Sequence, residues 1–149
     1  MTKKIISFVL LAVMLCLCSC SAGEQTVIDS YEVAAKSSEE LMEKIEAAIN
    51  NQDLNSFNQL TTDTLRASNS DVVRYFDKIK SFKVNTVAFE SNEQNGASYE
   101  IPIHYYISFG KDYTGSQYKT GLNNMTDGFT IVKIGDNYKL DAITWYGSY

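Results

Sequence analysis

The apolar residues of this chain change their spacing near Phe82, and that change is the strongest constraint on its fold. Upstream, Val27, Ile28, Tyr31, Ala34, Ala35, Leu41, Met42, Ile45, Ala48 and Ile49 recur at steps of three and four, the period of one helical face. Glu39, Glu40, Glu43, Lys44 and Glu46 fill the opposite face. Downstream, Tyr99, Ile101, Ile103, Tyr105, Ile107 and Phe109 alternate with Glu100, Pro102, His104, Tyr106 and Ser108, the period of a strand buried on one side. Helices come first and strands afterwards. That order predicts an α+β fold in which N-terminal helices pack on an antiparallel sheet. The first helix alone has an apolar stripe long enough to cover such a sheet.

Local signals divide the chain further. Ser37 followed by Glu40 reads as a capping box, so the first segment is one helix or two that meet near Ser37. Asn50-Asn51 ends it. Asp53 predicts the N-cap of a short helix using Leu54, Phe57 and Leu60. Residues 61–68 read as a polar loop. Asn69 or Ser70 caps a third helix carrying Val72, Val73, Phe76 and Ile79. Phe82, Val84 and Thr86 then alternate as a strand, and Asn95-Gly96 predicts a hairpin turn. Residues 110–128 are polar and read as a long loop or irregular strand. Residues 129–134 form a strand, Gly135-Asp136-Asn137 a tight turn, and residues 138–145 the last strand. There, Tyr138, Leu140 and Ala142 mark one inner face, whereas Ile143 and Trp145 mark the other. A bulge near Ala142 would reconcile them.

The N-terminus carries its own information. Met1-Thr2-Lys3-Lys4 is followed by an apolar run, residues 5–17, interrupted only by Ser7. The run suits a signal peptide and is shorter than the about 20 apolar residues of a membrane-spanning helix. It ends in Leu17-Cys18-Ser19-Cys20, which resembles the bacterial lipoprotein signal: Leu at −3, a small residue at −1 and Cys at +1. The resemblance implies cleavage before Cys20, a diacylglycerol on its sulfur, and palmitate as part of the anchor. Cys18 departs from the usual small residue at −2. The alternative is an ordinary secretory leader cut near Ala22. On the first reading, residues 1–19 are signal peptide, 20–26 the lipidated Cys and a tether, and 27–149 the folded domain. The location implied is a bacterial cell membrane, with the domain on the extracytoplasmic face.

All three Cys lie within the first twenty residues, so the domain has no disulfide and no Cys-based zinc site. The net charge is −5, and loss of Lys3 and Lys4 makes the remainder more acidic. An acidic chain lacks the basic footprint of a nucleic-acid binder.

The helix ending Ile45-Glu46-Ala47-Ala48-Ile49-Asn50-Asn51-Gln52-Asp53, the Phe57-Asn58-Gln59-Leu60-Thr61 that follows, and the hairpin from Phe129 through Gly135-Asp136 to Leu140 together resemble the NTF2-like, cone-shaped α+β fold. More narrowly they resemble small bacterial lipoproteins carrying such a domain. Cystatin-like domains are the nearest rival. The resemblance implies a concave sheet wrapped on helices. Some family members are isomerases, dehydratases or cyclases with an Asp or His in a pocket, and many only bind ligands or partners.

Candidate chemistry is sparse. His104 is the only histidine and the first choice for a general base, but its phase puts it opposite the core face unless Pro102 marks a bulge. Asp141 is the second choice, with solvation beside Lys139 as the plainer reading. Tyr105, Tyr138 and Trp145, with Tyr99 and Phe129, could line a site for a small hydrophobic or aromatic ligand, or simply be core. Tyr113, Tyr118, Tyr146 and Tyr149 read as exposed contacts. No nucleophile elbow, phosphate loop, dinucleotide fingerprint, zinc-protease motif or calcium loop is present. The sequence implies no metal and no cofactor. The expectation is a membrane-anchored protein that binds a small molecule or an envelope partner without catalysis. The competitors are an isomerase or hydro-lyase using His104 or Asp141, and an envelope assembly module.

Overall fold

The computed structural model describes residues 22–87 and 98–146. The leader, Cys20, the Asn95-Gly96 turn and Tyr149 lie outside the described residues. The chain divides into two units, Met1–Lys36 and Ser37–Tyr149. In the first, the described backbone is the start of helix α1 (Ala22–Asn50). The segment expected as a tether is therefore helical from Ala22, consistent with the good helix formers Ala22, Glu24 and Gln25. The helix also runs unbroken through Ser37, because the apolar period continues past the capping signature.

In the second unit, α1 ends as the sequence predicts. Gln52 adopts φ 56°, its N–H bonds the Ile49 carbonyl at 3.0 Å, and the Asp53 N–H bonds Ala48 at 2.8 Å. This is a Schellman stop with glutamine where glycine is usual. The Gln52 amide also donates to the Ile79 carbonyl at 2.9 Å, which helps hold this left-handed backbone. Asp53 then caps α2 (Leu54–Leu60), accepting the Ser56 N–H at 3.0 Å.

Two helical expectations need correction. The presumed loop after Thr61 contains α3 (Asp63–Arg66), capped by the Thr62 hydroxyl and pinned by the buried Leu65. The presumed third helix is split. α4 (Asp71–Arg74) stops at Tyr75, whose φ of −120° is not helical, and a 3-10 turn (Phe76–Lys78) follows. Ile79 already belongs to β1 (Ile79–Val87), because strand pairing with Phe109 takes over there.

The sheet is an antiparallel meander in the order β1, β2 (Ser98–Phe109), β3 (Gly121–Ile134), β4 (Asn137–Thr144). β3 is longer than expected, beginning at Gly121 rather than Phe129, and it pairs with β2 from Gly121 to Val132. Register shifts interrupt β1 between Ile79 and Ser81 and between Val84 and Thr86. The second explains why Val87, and not Thr86, pairs with the inward Ile103. The bulge expected in β4 is present: Ile131 pairs with Leu140 and Thr130 with Ala142, leaving Asp141 as the extra residue.

Leu41, Met42, Ile45, Ala48 and Ile49 of α1 share one buried cluster with Phe82, Ile103, Tyr105, Ile107, Phe129 and Ile131 of the sheet. Burial of each large side chain is worth roughly 1.5–3 kcal/mol, which is how a domain without disulfides holds together. α1 also closes the β1 edge. The Asn50 amide exchanges two hydrogen bonds of 2.8 Å with the Phe82 backbone, and the Glu46 carboxylate accepts the Val84 N–H at 2.9 Å. These side chains stand where a fifth strand would pair. Among the described residues, no helix is long and apolar enough to cross a membrane.

Candidate functional site

The inner face of β3 is not purely apolar. Asn123, Met125, Asp127, Phe129 and Ile131 alternate inward, and Asp127 is 0 % exposed. Its two oxygens are both used. Oδ2 accepts the Tyr105 hydroxyl at 2.5 Å, and Oδ1 accepts the Tyr146 backbone N–H at 2.9 Å. With its proton committed to the carboxylate, Tyr105 receives the Tyr118 hydroxyl at 2.8 Å. Phe82 and Phe129 flank the Tyr105 ring, at centroid distances of 5.2 and 5.5 Å.

A second buried carboxylate organises the connection between β2 and β3. Asp71, 2 % exposed, accepts at Oδ2 the Tyr113 hydroxyl at 2.6 Å and the backbone N–H groups of Ser116 and Gln117, each at 2.9 Å. The Gln117 side chain returns the contact, accepting the Asp71 N–H at 2.6 Å. A Cβ at position 115 would collide with the Asp71 carboxylate and the Tyr113 ring, so glycine there lets the loop close over its anchor. The Tyr113 oxygen also accepts the Tyr118 N–H at 3.1 Å, which links the two clusters. Tyr113 and Tyr118, expected as exposed contacts, are instead buried. Their phenols find carboxylate or hydroxyl partners inside, as buried tyrosines require.

The residues singled out from sequence are scattered. His104 lies on the outer face, in a row across three strands. Its Nδ1 meets the Asn85 amide at 3.3 Å and its Nε2 meets Asn124 Oδ1 at 2.5 Å; the neutral Nε2–H tautomer satisfies both. Asp141, the bulged residue, accepts the Thr62 hydroxyl at 2.6 Å. It ties α3 to β4, whereas the plainer expectation was simple solvation beside Lys139. Tyr105 is in the core, Tyr138 lines a surface cleft, and Trp145 follows β4 at 43 % exposure. The structure does not bring these three together around one cavity. Tyr146 is exposed, as expected, and its hydroxyl donates to Glu100 at 2.8 Å. Among the described residues, no group of three His, Cys, Asp or Glu side chains is placed to hold a metal ion.

Sequence reasoning missed Asp71 and Asp127. The available signal was the alternation Asn123, Met125, Asp127, Phe129, which makes Asp127 an inward strand residue. It was hidden because two of its first three inward positions are polar. Asn123 is inward for a related reason: its amide donates to the Ile107 and Lys119 carbonyls at 3.2 and 2.8 Å, fastening the end of the loop.

Comparison with protein-family models and with curated proteins gives no match to this chain.

Chemically, the two carboxylates are buried and take their donors from their own chain. Burial pushes the Tyr113 phenol up to about 12, with its bond to Asp71 adding to the effect. Burial likewise raises Tyr105 and Tyr118, with nearby Asp127 adding to both. Their protons are held in the folded chain above pH 10 and released in the unfolded one. Stability is therefore complete below pH 10 and falls as pH rises through 10 to 12 and beyond. Ultraviolet titration should show the phenolate signal of these three tyrosines arriving with unfolding. A smooth titration of every tyrosine near pH 10, with the fold intact, would contradict this.

Proposed function

We propose that the chain is a lipid-anchored extracytoplasmic protein, held at a bacterial membrane through Cys20, whose NTF2-like domain is a non-catalytic binding module. One observation carries the second part. The inner face of the sheet, where an enzyme of this kind would keep its pocket, is filled by Tyr105, Phe82, Phe129 and the α1 side chains. His104 and Asp141 already have partners on the outer face and the β4 side. The NTF2-like reading draws support from the packing of residues 41–49 of α1 on a four-stranded meander and from bulges in β1 and β4, a feature that bends strands. The anchor rests on Leu17-Cys18-Ser19-Cys20.

Replacing Cys20 by Ala tests the anchor. Cells fed a radiolabelled fatty acid should label the parent chain and not C20A, and the variant should leave the membrane fraction. Labelling that persists in C20A overturns the anchor. Turnover of a substrate that depends on His104 or Asp141 overturns the non-catalytic reading.

A further inference from the structure

The two edges of the sheet end differently. On β1, the Phe82 N–H and C=O are taken by Asn50 and the Val84 N–H by Glu46. On β4, the described pairing is at Leu140, whose carbonyl accepts the Thr62 N–H at 3.0 Å beside the parallel bridge to Thr61. Backbone groups along a strand alternate in direction. Tyr138, two residues upstream of Leu140, therefore also turns its N–H and C=O away from β3. The parallel register would set Gln59 opposite Tyr138, but Gln59 is still helical in α2, so this segment makes no strand there. A cleft of 430 Å³ opens there instead, walled by Leu41, Lys44, Gln59, Leu60 and Lys139.

We propose that this cleft receives an extended peptide segment of a protein partner, which adds to the β4 edge at Tyr138 as a short strand. An N–H and a C=O directed into a cleft from one residue call for an acceptor and a donor at strand spacing, which another backbone supplies. A guest strand in line with Thr61 continues a pairing that the fold already makes at Leu140. Leu41 and Leu60 offer contact to its alternate side chains. The proposal deepens the binding-module reading and rests on it.

Tyr138→Pro removes the N–H, and an edge strand tolerates proline where that group makes no ladder bond. Gln59→Trp fills the cleft from α2 and leaves the Tyr138 backbone intact. The probes are a blocked pentapeptide of alternating valine and threonine and its fully N-methylated form, added to the full chain in detergent micelles. The pentapeptide should slow amide exchange at Tyr138 about tenfold. The methylated form should not, and whichever variants keep the parent melting curve should bind the pentapeptide about tenfold less tightly. A Tyr138 amide that is unaffected by the pentapeptide, or already as slow as the ladder amides in the free chain, overturns the proposal. Binding undiminished in the variants also overturns it, by placing the peptide elsewhere on the module while leaving the module reading intact.

Discussion

Asp127→Ala should lower the unfolding free energy by about 3 kcal/mol, measured as a shift in the urea midpoint with unchanged slope. The carboxylate has no exposure, and it accepts from the Tyr105 hydroxyl and the Tyr146 N–H. Truncation takes this acceptor from both donors and opens a small void beside the Tyr105 hydroxyl. Leaving the buried Tyr105 hydroxyl unpaired costs about 1–3 kcal/mol, and the part-buried Tyr146 N–H adds less because water can reach it. Tyr105→Phe alone should also be costly, because it leaves Asp127 Oδ2 without its donor. The double variant should cost less than the two singles together, the signature of a shared interaction. A loss below about 1 kcal/mol for Asp127→Ala would mean that the core relaxes around the missing group, and that the cluster is not a structural anchor.

Asp71→Ala should cost about 2 kcal/mol and act more locally. Three donors converge on one oxygen, but the Ser116 and Gln117 N–H groups lie close enough to the surface for water to replace part of what they lose. The Tyr113 hydroxyl does not share that relief. The distinguishing measurement is hydrogen exchange. Ser116, Gln117 and Tyr118 should lose protection at denaturant concentrations where Ile103 and Ile131 keep theirs. Uniform loss across loop and sheet would show instead that the connection and the core open as one unit.

These two residues also mark the limit of what the sequence discloses. β2 was legible because its inward positions are all apolar or aromatic, from Ile101 to Phe109, and the observed burial follows that alternation residue by residue. β4 was legible down to its bulge, because two incompatible apolar phases within one short strand require an extra residue between them. α2 was legible from Asp53, since a side-chain cap is made three residues away. The first half of β3 was not. Asn123 and Asp127 occupy inward positions for the sake of partners elsewhere, so the apolar alternation that announces a strand is absent there. The same blindness misplaced Tyr113 and Tyr118, which sit in a polar stretch and look exposed until their acceptors are known.

The sequence by itself determined the order of helices and strands, the cap at Asp53, the stop after Asn50, the inward face of β2, and the motif at Cys20 on which the anchor proposal rests. Each depends on neighbours within a few residues, whose spacing and chemistry are printed in the chain. Only the tertiary structure decided that Tyr118 meets Tyr105 and Tyr105 meets Asp127, that Asp71 holds the connection between β2 and β3, and that α1 closes one sheet edge while Tyr138 opens onto a cleft. Those outcomes join groups far apart along the chain. A buried polar group is stabilised only by the partner that folding brings to it, so its role is not legible before the partner is known.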